Sequence, residues 1–122
     1  THVQRFFAYV HERGGRISMQ AVEAPPGEWK SPLDAIGAVC DHEAKVTGMI
    51  NSLMDLALDN SDHATANFLQ WFIKEQVEEE ASAEAARQKL KLVDKTEGGL
   101  FMVDREMDLR TFVLPPDMVG AF

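Results

Sequence analysis

Two glutamates stand where apolar side chains belong. Ile36, Cys40, Glu43, Thr47, Ile50, Met54 and Ala57 recur at alternating steps of three and four, the spacing of a helix face turned toward a core. Thr65, Leu69, Phe72, Gln76, Glu79, Ala83, Ala86 and Leu90 repeat the pattern further on. Glu43 interrupts the first stripe and Glu79 the second, with Gln76 one turn before Glu79 and with Glu75 and Glu78 on its flanks. A buried carboxylate without a partner costs several kcal/mol. Two of them brought face to face repel each other unless a cation lies between. Carboxylates joined by an imidazole form a hard-to-borderline ligand set suited to iron or manganese. His2, one turn before Phe6, is the imidazole at hand. Plainer readings stand beside this one. Glu78-Glu79-Glu80 reads as a solvated acidic run, His2 as an exposed side chain, and Glu43 as a residue on the polar flank of its stripe. What favours the cation is that Glu43 and Glu79 fall at one height if the two stripes belong to antiparallel neighbours.

The elements that would position these residues are helices. Residues 1–13 read as the end of one, with Phe6, Phe7, Tyr9 and Val10 on its apolar side and Gly14-Gly15 as its stop. No start signal precedes it, so the chain is expected to begin inside a helix. Residues 14–31, with Pro25, Pro26 and Gly27, form a connector. Ser31-Pro32-Leu33-Asp34 supplies a cap, a first-turn proline and an acidic residue at the positive helix end. That predicts a helix over 32–58, roughly 40 Å long at ~1.5 Å per residue. The polar break at 59–62 is short enough to require an antiparallel neighbour. The next helix is predicted over 62–92, capped by Ser61 or Asp62, and its Ala- and Glu-rich stretch favours helix strongly. After Gly98-Gly99, residues 100–110 form a short terminal helix, stopped by Pro115-Pro116. Nothing signals a strand.

Composition narrows the function classes. The 122 residues suffice for one domain, and 45% hydrophobic with 26% charged residues is the balance of a soluble globular protein. No apolar run approaches the roughly 20 residues needed to cross a bilayer. A net charge of −8 argues against nucleic acid as a partner and suits cations. Cys40 is the only cysteine, which fits a reducing cytoplasm.

The segment from Asn67 through Phe68-Leu69-Gln70-Trp71 to Glu75-Gln76-Val77-Glu78-Glu79-Glu80 resembles the fourth bundle helix of bacterial-type non-haem ferritins, whose pattern is F-L-Q-W-x-x-x-E-Q-x-E-E-E. His42-Glu43 resembles the H-E of their third helix. Thr1-His2-Val3 resembles the end of E-E-x-x-H in their second, and Glu97-Gly98-Gly99-Leu100 the entry to their short fifth. The resemblance covers residues 1 to about 110. It implies an all-α, ferritin-like four-helix bundle with a long crossover and a short fifth helix, the amino-terminal part missing, followed by a tail over 111–122. It also implies an iron-storing ferroxidase, with Fe(II), oxygen or peroxide as reactants and a self-assembled 24-subunit shell.

By the same resemblance His2 would bind the first iron of a di-iron centre, Glu43 and Glu79 the second, and Gln76 would stand beside the oxygen site. Glu75 and Glu78, with Glu79, would make a third iron site. No haem is implied. The pattern departs in two places. The glutamates of E-E-x-x-H would precede Thr1, and Ser82 stands where bacterioferritins and rubrerythrins carry a second histidine. Two rivals remain open: another ferritin-like di-iron protein that scavenges peroxide, and a truncated, non-catalytic helical piece. With a helix and a half absent, Phe6, Ile36, Ile50, Phe68, Leu69 and Phe72 are expected to lose core partners.

Overall fold

A computed structural model describes residues 2–94, 96 and 98–109. Thr1, Glu97 and the expected tail over 111–122 lie outside the described residues. The described residues form four helices and no strand: α1 His2–Glu12, α2 Pro32–Asp59, α3 His63–Val93 and α4 Gly99–Asp108. Each expected helix is present, within one or two residues at its described ends. The chain divides into two compact units, one carrying α1 and the connector as far as Pro26, the other spanning Gly27–Asp108.

Helix ends follow from local chemistry. Gly14 takes φ +70°, and the N–H groups of Gly14 and Gly15 reach back to the carbonyls of His11 and Val10, closing α1. At the start of α2 the Ser31 hydroxyl accepts from the Asp34 N–H at 3.1 Å, and the Asp34 carboxylate accepts from the Lys30 N–H at 3.4 Å. Three residues, Asn60, Ser61 and Asp62, join α2 to α3. Ser61, at φ +54°, donates its N–H to Leu58, and Asp62 donates its own to Ala57. The Asp62 carboxylate then caps α3, accepting from the Thr65 N–H at 3.0 Å and the Thr65 hydroxyl at 2.6 Å.

The core of the second unit is the seam between α2 and α3, with α4 packed on α3. Ile50, Met54 and Ala57 on α2 and Ala66, Leu69, Phe72, Ala83, Ala86 and Leu90 on α3 are buried. Phe72 is met edge-on by the rings of Trp71 and Phe68, with centroids 4.9 and 5.1 Å away. The expected loss of partners is therefore corrected for half of the six side chains named. Ile50, Leu69 and Phe72 are 5%, 1% and 0% exposed, because the α2–α3 contact alone covers its own seam. Phe6, Ile36 and Phe68 are half-buried.

Candidate metal centre

Glu43 lies half-buried on the seam side of α2, two turns before the buried Ile50. Facing it from α3 is Gln76, 1% exposed and the one buried polar side chain among the described residues. The Gln76 amide nitrogen donates toward three oxygens: the Glu43 backbone carbonyl at 3.2 Å, the Glu43 carboxylate at 3.3 Å and the Thr47 hydroxyl at 3.2 Å. The Thr47 hydroxyl in turn donates a hydrogen bond to the carboxylate of Glu80. The other amide atom, Gln76 Oε1, is buried and has no hydrogen-bond partner among the described residues. An orphaned buried oxygen costs about 1–3 kcal/mol, so the site holds an acceptor that lacks its complement.

The remaining sequence-predicted residues are placed less tightly. Glu75 is half-buried, while Glu78 and Glu79 are exposed. Glu79 occupies the stripe position between Gln76 and Ala83, yet it faces solvent where those two are covered. His2 is half-buried in α1, within the other unit. Among the described residues no group of three or more His, Cys, Asp or Glu is placed to hold a metal ion. What the fold does bring together is Glu43, Gln76, Thr47 and Glu80. Sequence reasoning placed Thr47 on the seam without a role and left Glu80 in the acidic run. The available signal was the step of four from Gln76 to Glu80, which puts both on one side of α3.

A carboxylate steadied by a buried amide is an oxygen donor of the kind that hard cations take. The sequence model of the ferritin-like domain matches residues 1–93, and the chain belongs to that family. Within it, the chain is 37% identical over 107 residues to a bacterial non-haem ferritin of Escherichia coli and 34% identical over 106 residues to a probable bacterial non-haem ferritin-like protein of Haemophilus influenzae. These matches take in 88% and 87% of the chain, but it spans only 65% and 64% of those relatives' lengths. An engineered closed form of the Archaeoglobus fulgidus ferritin superposes with a TM-score of 0.89 at 47% identity, covering 92% of this chain and 68% of that one. The open-pore ferritin of the same archaeon gives 0.88, also at 47% identity.

Proposed function

We propose that the chain serves iron storage, taking Fe(II) as substrate, oxidising it at a carboxylate centre and passing Fe(III) into a mineral held inside a closed 24-subunit shell of its own kind in the cytoplasm. The observation that carries this reading is the Gln76–Glu43 contact: a buried amide fixes one oxygen of a carboxylate on the facing helix and leaves the other for a cation. Glu43 and Glu79 would hold one Fe(II), and His2 would bind the other with carboxylates beyond the matched motif. Glu75 and Glu78, with Glu79, would take iron in transit. The ferritin-like domain is assigned to residues 1–110 and the tail to 111–122.

In the oxidation, each of two Fe(II) gives up one electron. Dioxygen accepting that pair with two protons leaves as hydrogen peroxide, and hydrogen peroxide accepting the pair with two protons leaves as two waters. Carboxylates favour the harder Fe(III), which pulls the couple toward oxidation.

The test is the rate of Fe(II) oxidation, followed by absorbance of the Fe(III) product, in Glu43→Ala and Glu79→Ala. Each is expected to slow oxidation at least tenfold with particle mass unchanged. Wild-type rates in both would overturn the assignment. Oxygen consumed per Fe(II) separates a storage ferroxidase from a peroxide scavenger.

A further inference from the structure

Within a helix, a threonine or serine commonly returns its hydroxyl proton to the carbonyl four residues back. Ser52 does so on α2, donating to the Gly48 carbonyl at 2.9 Å. For Thr47 the equivalent acceptor is the carbonyl of Glu43, but its proton goes across to Glu80 on α3 instead. A hydroxyl has one proton and a carboxylate only accepts. With that proton committed, the Thr47 oxygen can do nothing but accept.

The consequence falls on Gln76. Its side chain meets three acceptors on one side: Thr47 Oγ1, the Glu43 carbonyl and the Glu43 carboxylate. Only the NH2 end of an amide can face three acceptors, so Oε1 is turned the other way, where it stays buried and unpaired. The polarity of the chain of bonds is thus set from the exposed Glu80 inward, through Thr47 and Gln76, to Glu43. We propose that Thr47, held by Glu80, is a positioning residue that fixes the Gln76 amide and, through it, the Glu43 carboxylate. The proposal rests on the reading of Glu43 as a metal-binding carboxylate.

Removing Glu80 frees the Thr47 proton, and the Glu43 carbonyl is the acceptor waiting at four residues' distance. Thr47 then competes with Gln76 for that carbonyl, and turning its hydroxyl that way redirects the lone pairs that accept from Gln76. The contacts that hold the Gln76 NH2 end are thereby loosened, and its bond to the Glu43 carboxylate is less firmly fixed. A cleft of about 250 Å³, lined by Thr47, Asn51, Gln76 and Glu80 among others, gives these side chains room to turn.

The experiment titrates Co(II), a redox-inert probe, into the full chain and reads its dissociation constant by calorimetry. The variants are Thr47→Val, Thr47→Ser, Glu80→Ala, the Thr47→Val/Glu80→Ala double and Glu43→Ala, each with its circular-dichroism melt recorded. Thr47→Val and Glu80→Ala should each weaken binding roughly tenfold, the low end of what losing an outer partner costs a metal site. The double variant should be no worse than Thr47→Val, and Thr47→Ser should bind like the wild type. A merely structural role for Glu80 would not vanish when Thr47 is already valine. Equal losses from Glu80→Ala in both backgrounds, or a serine variant no better than valine, would overturn the relay. Glu43→Ala separates the two readings. If it loses Co(II) while Thr47→Val and Glu80→Ala bind normally, the relay alone fails. If it binds Co(II) like the wild type, the metal assignment fails and takes the relay with it.

Discussion

The side-chain amide of Gln76 lies 3.3 Å from the carboxylate of Glu43, a residue 33 positions earlier on the facing helix. Gln76→Glu would exchange that donor for a second carboxylate of nearly the same shape. Two carboxylates at hydrogen-bond distance cannot both ionise cheaply, so the pair must hold a proton in the folded state. An acid whose folded pKa is raised contributes stability below its unfolded value and loses it as pH rises through the folded one. The variant is expected to be about 1–3 kcal/mol less stable than the wild type at pH 8, a typical cost for a broken buried hydrogen bond. It should recover much of this near pH 4. Urea unfolding at the two pH values checks it, and a pH-independent deficit would show that the Gln76 environment, not its charge, sets the cost.

The architecture was legible because the helix signals are local. Ser31 and Asp34 mark the start of α2, Gly14-Gly15 mark the end of α1, and both act through neighbours a few residues away. The seam was legible for the same reason: steps of three and four keep one face of a helix facing one way, and Leu69, Phe72, Gln76, Ala83, Ala86 and Leu90 are buried in sequence order. Burial of Glu79 did not follow from periodicity. A stripe position is covered only where another element reaches it, and that is a property of neighbours, not of spacing. Thr47 and Glu80 were invisible as a pair because their hydrogen bond joins two helices 33 residues apart. Nothing in a single helix's pattern encodes where a hydroxyl proton goes when two acceptors compete for it. The spacing offered His2 as an imidazole and set Glu75 and Glu78 beside Glu79, while their division among separate iron sites came from the family resemblance.

Ser61 and Asp62 do opposite work in one turn. Ser61 occupies the left-handed region at φ +54°, which costs a residue with a Cβ about 1–2 kcal/mol. Glycine removes that cost but gives back roughly 0.5–1 kcal/mol through the freedom of the unfolded chain. Ser61→Gly is therefore expected to stabilise by about 0.5 kcal/mol, the small net of these opposing effects. Asp62→Ala strips the α3 cap of both its bonds to Thr65 and should cost about 1–2 kcal/mol. Guanidinium unfolding of both variants measures the pair, and equal destabilisation would show that the turn is held by something other than these two conformations.

Glu84 is a surface carboxylate of α3 whose titration is shifted by its neighbours. Its carboxylate accepts from the Gln88 amide and from Arg87, and those contacts hold its pKa below the ordinary carboxylate value, with the Gln88 bond the largest cause. A depressed carboxylate adds stability above its unfolded pKa and surrenders it as pH falls through the lower folded value. Carboxyl-carbon NMR should place the Glu84 midpoint below that of an exposed glutamate. Gln88→Ala should raise the midpoint more than Arg87→Met does. The reverse order would mean that charge, not the amide bond, holds the carboxylate.

Gly98 and Gly99 sit side by side at the entry to α4 and should fail on substitution for different reasons. Gly98 has φ +76° and open space where a Cβ would stand, so alanine there suffers only the left-handed backbone cost of about 1–2 kcal/mol. Asparagine tolerates that region, and Gly98→Asn should therefore recover part of the loss. Gly99 is buried, and a Cβ there would lie 2.6 Å from Val93 Cβ, 3.0 Å from the Val93 carbonyl oxygen and 3.3 Å from Thr96 Cβ. None of these atoms is the far end of a flexible side chain, so α4 must shift away from the end of α3. Overpacking of that kind costs about 1–3 kcal/mol. The shift would disturb the buried Leu90 and Val103 and the Lys89–Glu106 ion pair between α3 and α4. Gly99→Asn should be no better than Gly99→Ala. Trimming Val93 to alanine should not rescue Gly99→Ala, because the clash is with Cβ and the carbonyl, which alanine keeps. Thermal melts of Gly98→Ala, Gly98→Asn, Gly99→Ala, Gly99→Asn and Gly99→Ala/Val93→Ala decide the matter. Rescue by Val93→Ala would show that the contact lies with the valine methyls, and that α4 is seated by side-chain packing, not by this close backbone approach.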